Sequence, residues 1–392
     1  MSDKRLRIGF IPLCDAAASI VAVDKGFAAA EGLDVELVRE VSWSNMRDKL
    51  NIGLFHAAHM IAPIAIASSL GLGHVKVPIV APFVLGVNGN AITVSPALYA
   101  SIAAMAEGNI VNPMVSACAL ARVVASRKAK GQEPLTFGMT FPFSTHNYQL
   151  RFWMAAGGVD PDEDVRLVVL PPPYMVESLA NKHVDGFCVG APWNSVAVDL
   201  GIGFMLHFGS EILAWGAEKV LAFRSRWAQD NPDALAGLIR AHARAADFVV
   251  DVANRDEVAA MLAPASRIGV SPDVIRRTLD GRMKVAPDGA TRVDANYFVV
   301  GRNGAGRPDP AQAAWLYAQM VRWGQAPLSD ELCQAAMAVF RADLYDAALG
   351  PELKNFSGKT ADSIGAFTGP PFDPRDITSH LTAWRIGRVP VA

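Results

Sequence analysis

Between Leu50 and Ala106 the only Asp, Glu, Lys or Arg is Lys76. A stretch this long without charge must be hidden from water, in a bilayer or in a protein core. A spanning helix needs ~20 mostly apolar residues in succession. Here Pro63, Pro78, Pro82, Gly86, Asn88, Gly89, Asn90 and Pro96 interrupt the run. Hydrocarbon does not tolerate the backbone groups that such breaks leave unpaired. The segment therefore reads as short buried strands and helices, with strands over Pro78–Val87 and Asn90–Val94. With 392 residues and 51% hydrophobic side chains, the chain exceeds what one core accommodates, and two lobes are expected.

Strand-like and helical stretches alternate up to Trp227. Leu6–Leu13, Val35–Val41, Leu135–Thr140, Arg166–Leu170, Asp185–Val189, Phe204–Phe208 and Val220–Phe223 read as strands. Helices are predicted over Ala16–Ala30, Asn45–Gly53, Thr145–Ala156 and Pro173–Lys182, and from Pro192. Beyond Trp227 helices dominate, several opened by proline, and Thr368–Pro374 is too proline-rich to be regular and is expected to wrap the outside of a lobe. This order predicts an α/β fold with largely parallel sheets, arranged as two hinged lobes. Residues 1–94 and 219–392 form lobe I and residues 95–218 lobe II, with crossings near Val94–Pro96 and Trp215–Val220. A ligand would lie between them, facing strand ends and helix N-termini.

The chemistry is narrowed by what is missing. No GxSxG, HExxH, P-loop or post-strand GxGxxG occurs. Cys14, Cys118, Cys188 and Cys333 have neither disulfide nor metal spacing and read as reduced thiols. A net charge of -2 offers no basic footprint for nucleic acid or a membrane surface. His56 and His59, at i and i+3, suit one face of a helix or turn. The positive features suit an anion. Ser144 or Thr145 caps a helix that carries His146 in its first turn, where free N–H groups gather. Two more helices open at Pro171-Pro172-Pro173 and Gly190-Ala191-Pro192, each after a strand. Trp43 stands at a strand-to-helix turn with an indole N–H to offer, and Lys219 precedes a returning strand as a point charge.

Several of these segments occur together in a known family. Gly9-Phe10-Ile11-Pro12, Ser42-Trp43, Thr140-Phe141-Pro142, Ala155-Ala156-Gly157-Gly158-Val159-Asp160-Pro161 and Phe187-Cys188-Val189-Gly190-Ala191-Pro192-Trp193-Asn194 resemble the nitrate- and bicarbonate-binding proteins of ABC transporters, over essentially the whole chain. The resemblance implies a periplasmic-binding-protein-like (type II) fold and no enzymatic activity. It also implies a nitrate or nitrite site made of Trp43, Asn90, His146, Pro172, Gly190 and Lys219. Asn90 replaces a glutamine of the family. The bicarbonate branch carries a calcium-serving carboxylate where Lys219 stands, so Lys219 implies a monovalent oxoanion without metal or other cofactor.

The first residues contain no apolar signal core, which points to a cytoplasmic protein. In that respect the chain resembles the cytoplasmic NasS-type nitrate/nitrite sensors. This implies an ANTAR-type antiterminator protein as partner, released when the anion binds, and no direct contact with nucleic acid or membrane. The alternative is the substrate-binding protein of an oxoanion importer. An enzyme on the same scaffold would need a cysteine- or histidine-rich centre that the scattered cysteines do not supply.

Overall fold

The computed structural model describes residues 5–301, 304–350 and 364–388. Among the described residues eleven strands build two sheets, ten of them β1 (Leu6–Phe10), β2 (Val35–Arg39), β3 (Ala57–Ile61), β4 (Ile79–Asn88), β5 (Asn90–Val94), β6 (Thr136–Met139), β7 (Arg166–Val169), β8 (Gly186–Gly190), β9 (Phe204–Phe208) and β10 (Ala217–Arg224). A short hairpin follows, β11 (Arg282–Lys284) with β12 (Thr291–Val293), and then β13 (Phe298–Val299). The first sheet runs β13-β4-β10-β3-β1-β2 and the second β7-β6-β8-β5-β9.

The parallel pairs are β1 with β2 and β3, and β6 with β7 and β8, each joined through helices. The sheets are mixed rather than largely parallel, because the strands that carry the chain between them run the other way. β10 is antiparallel to β3 and β4, and β5 to β8 and β9. All of β4 and β5 is buried, which accounts for the charge-free run. Pro82, unable to donate within a central strand, falls where the β4–β10 register shifts between Leu221 and Phe223.

The chain changes sheet at Gly89. Asn88 pairs with Phe298 in the first sheet, and Asn90 pairs with Gly190 in the second. Both Asn88 (φ 58°) and Gly89 (φ 89°) are left-handed, which turns the backbone in two residues. The crossing expected at Val94–Pro96 is thus five residues too late, and Asn90–Val94 belongs to the second sheet. The return to the first sheet passes through Leu213–Ala217 after β9.

Helices Ala17–Asp24 and Pro232–Val250 pack together on one side of the first sheet, and Ala62–Leu70 and Pro310–Arg322 pack together in the other core. The stretch Thr368–Pro374 is irregular. Gly369, Pro370 and Pro371 within it are exposed, while the residues on either side of it pack inward. Ala366 bridges Leu213, Trp384 packs edge-on against Phe152 at 4.7 Å, and Arg388 binds Asp160 at 2.6 Å. Among the described residues no helix is long and apolar enough to cross a membrane.

Candidate functional site

Glu218 and Lys219 are consecutive in β10, so strand alternation would send them to opposite faces. The register against β4 shifts on both sides of Lys219, at Ala217/Lys219 and at Lys219/Val220. This irregularity re-aims the side chains. Both are buried, and the Lys219 ammonium donates to Glu218 Oε1 at 2.7 Å.

A second carboxylate meets the same lysine. Asp15, in the 3-10 turn Cys14–Ala16 after β1, places Oδ2 3.0 Å from Lys219 Nζ. Its Oδ1 is 2.8 Å from His59 Nε2. The Ile11 N–H donates to His59 Nδ1 at 3.4 Å, so the ring proton belongs on Nε2 and points at Asp15. His59 lies in strand β3 and not on a helix. His56, just before β3, accepts the Arg7 N–H at its Nδ1 and so stands apart from His59 at the cluster. Trp43, first residue of helix Trp43–Asn51, closes this side: its ring lies 5.4 Å from Lys219 Nζ and 5.7 Å from the His59 ring.

The second sheet supplies the opposite wall. Asn90 opens β5 and donates from Nδ2 to Glu218 Oε2 at 2.7 Å. Gly190 ends β8 across from Asn90. A Cβ there would stand 3.5 Å from Asn90 Oδ1 and 3.6 Å from Asp15 Oδ2, so the missing side chain leaves the wall open. Helix Thr145–Ala156 is capped by Ser144, whose hydroxyl accepts the Asn147 N–H. That cap fixes His146, whose Nδ1 is 3.0 Å from Thr140 Oγ1 and 3.4 Å from Glu218 Oε1.

Trp43, Asn90, His146, Gly190 and Lys219 therefore converge. Pro172 follows β7, the edge strand, and its carbonyl accepts the Met175 N–H at the start of its own helix. Of the three helix starts expected to face an anion, the one at Thr145 contributes the His146 side chain to the cluster. Among the described residues, no three His, Cys, Asp or Glu side chains converge in the way a metal needs.

The electrostatics differ from an open cationic pocket. With both carboxylates ionised, the cluster holds two negative charges against one positive. Burial opposes Asp15's charge, yet Lys219 and His59 hold its carboxyl below the usual range. Burial dominates at Glu218 and raises its pKa in spite of Lys219. Burial also lowers Lys219, but Asp15 and Glu218 more than offset it, and the ammonium is retained. His146 is held well below its ordinary value by burial and by Lys219. Both causes favour the neutral imidazole.

Three buried polar atoms around Lys219 have no partner: Trp43 Nε1, His146 Nε2 and Asn90 Oδ1. Each such atom costs ~1–3 kcal/mol unless something completes it. Two can donate, beside a lysine, which is what a small oxoanion requires. Asp15, Glu218 and Thr140 were not legible as part of this site. A search for donors passes over acids, and Glu218's inward turn depends on the β10 irregularity.

Comparisons with known proteins bear on the family and the fold. Residues 1–263 match the NMT1-like family. The nitrate import ATP-binding protein NrtC of Synechocystis sp. is 32% identical over 98% of this chain. The bicarbonate transport ATP-binding protein CmpC of Synechococcus elongatus is 33% identical over 99%. The chain spans 55% and 56% of those two proteins' lengths. The crystal structure of the periplasmic nitrate-binding protein NrtA from Synechocystis superposes with a TM-score of 0.88 at 26% identity, covering 98% of this chain and 99% of that one.

Proposed function

Because the chain belongs to the NMT1-like family, among the nitrate- and bicarbonate-binding proteins of ABC transporters, we propose that it binds nitrate or nitrite between its two sheets. Lys219 supplies charge, Trp43 and His146 supply N–H donors, Asn90 an amide, and Gly190 the room. The observation that carries this reading is that the Trp43 Nε1 donor and His146 Nε2, a donor in one imidazole tautomer, are both buried beside Lys219 without a partner. An acceptor-only anion completes both. Isothermal titration with nitrate, nitrite and bicarbonate tests it. Saturable 1:1 binding of nitrate or nitrite supports the reading, and binding of bicarbonate alone overturns it.

The finer reading is a cytoplasmic sensor that holds an ANTAR-type antiterminator and releases it when the anion binds. It rests on the resemblance described above. Its physical support is that the site joins both sheets, so a partner gripping both would sense occupancy. Linkage limits the effect to the ratio of anion affinities in the free and partner-bound protein, typically ~1–3 kcal/mol. Capture of an antiterminator-like protein without nitrate, and its release by nitrate, is the expected result. The names of the import-related relatives favour the competing reading, a substrate-binding protein of an importer. Failure of capture, or a complex indifferent to nitrate, leaves that reading in place.

A further inference from the structure

Nitrate offers lone pairs and no hydrogen. The wall it would meet includes the unpaired Oδ1 of Asn90, an acceptor turned toward Gly190, because the amide's Nδ2 is committed to Glu218 Oε2 at 2.7 Å. Behind that amide lies the Glu218 carboxylate, 2.7 Å from Lys219 Nζ and 3.4 Å from His146 Nδ1. Glu218 thus occupies partners that the anion needs. A bound anion would also be a third negative charge beside Asp15 and Glu218, with one ammonium among them.

We propose that Glu218 is a specificity-determining residue that admits an acceptor-only oxoanion by taking up one proton, so that nitrate and a proton bind together. The proton comes from solvent and forms an O–H bond on Oε2. The Asn90 amide then rotates by half a turn, exchanging O and N, which have nearly the same shape. Oδ1 accepts the new Glu218 O–H, and Nδ2 turns to the cleft. The wall then presents three donors, from Trp43 Nε1, His146 Nε2 and Asn90 Nδ2. With Glu218 protonated, Thr140 Oγ1, 3.0 Å from His146 Nδ1, can donate to it and hold the imidazole proton on Nε2. The charge of the cluster is the same before and after, because the anion's charge is matched by the proton.

The other groups facing Glu218 do not take this proton. Lys219 is already charged, and Asp15 is held ionised by Lys219 and His59. His59 has both ring nitrogens engaged, by Ile11 and Asp15. His146 would become a cation next to Lys219, in a fully buried position. Cys188, within Glu218's field, is a thiol with its proton already in place. Burial, which raises the Glu218 pKa, favours the step.

The proposal rests on the oxoanion reading above, and nitrate titration in two buffers of different ionisation heat separates the two. Uptake of about one proton per nitrate is expected, with the apparent Kd rising about tenfold per pH unit where free Glu218 is ionised. Glu218→Gln should abolish the uptake and bind nitrate at least about tenfold more tightly than wild type at pH 8. If that variant does not fold, infrared difference spectra of the wild type suffice: nitrate should raise a protonated-carboxyl C=O band. Nitrate binding without proton uptake, or uptake retained in Glu218→Gln, overturns this proposal alone. No nitrate binding at any pH overturns the oxoanion reading and this proposal with it.

Discussion

Replacing Lys219 with methionine keeps the length of the side chain and removes its charge. Asp15 and Glu218 then share a buried cleft without a counter-ion, although His59 still donates to Asp15 and Asn90 to Glu218. At least one carboxyl must take a proton for the fold to survive. Protonating a carboxyl of ordinary pKa ~4 costs about 1.4 kcal/mol per pH unit above that value, so ~4 kcal/mol at pH 7. That lies within the ~3–5 kcal/mol typical of breaking a buried ion pair from one side. In the variant the folded carboxyl pKa rises above its unfolded value. Its stability is therefore present below about pH 4 and is lost as pH rises through the raised pKa. In the wild type the Asp15 pKa is lowered, so its contribution is present above about pH 4 and is lost as pH falls through the lowered value. The gap between the two proteins should shrink from ~4 kcal/mol at pH 7 to roughly 1.4 kcal/mol at pH 5. Urea unfolding followed by circular dichroism at pH 5, 6 and 7 measures it, provided the m-value is unchanged. Adding Asp15→Asn should recover part of the loss. A gap under about 1 kcal/mol at pH 7, or one that does not narrow toward pH 5, would refute the role of Lys219 as counter-ion to both acids.

Trp43→Phe removes an indole N–H that has no partner in the free protein. Nitrate affinity should fall by ~1.5–3 kcal/mol with little change in melting temperature, whereas normal binding with a much lower melting point would mean that Trp43 only packs. Pro172→Ala keeps the backbone carbonyl that the Met175 N–H uses and should leave the nitrate Kd unchanged within about twofold; a tenfold loss in titration would make the proline ring itself part of the site. Gly157→Ala would bring a Cβ to 2.1 Å from the backbone oxygen of Ala117, which no rotamer relieves. It should destabilise by ~3 kcal/mol or more in urea, and an unchanged midpoint would show that the two helices separate freely.

Local pattern carried much of the architecture. Helix Thr145–Ala156 and its Ser144 cap are legible because a polar cap after a strand, followed by a half-apolar run, has few other solutions. The buried strands at Ile79–Asn88 and Asn90–Val94 are legible because nothing in them can face water. Trp43 and His146 stand at strand-to-helix turns where donors gather, whereas Lys219 lies within β10 and joins them through the family resemblance. Other features needed the assembled fold. The sheet change at Gly89 depends on which strands β4 and β5 pair with, and both look equally buried along the chain. His59 reads as a helix position until β1 and β10 enclose it in a sheet. Asp15 meets Lys219 across 204 positions of sequence, and Glu218 turns inward through a shift in the β10–β4 register. Sequence pattern reports which side chains avoid water. Charge balance inside the cleft is set by which of them meet there, and that is decided by strand pairing between segments far apart in the sequence.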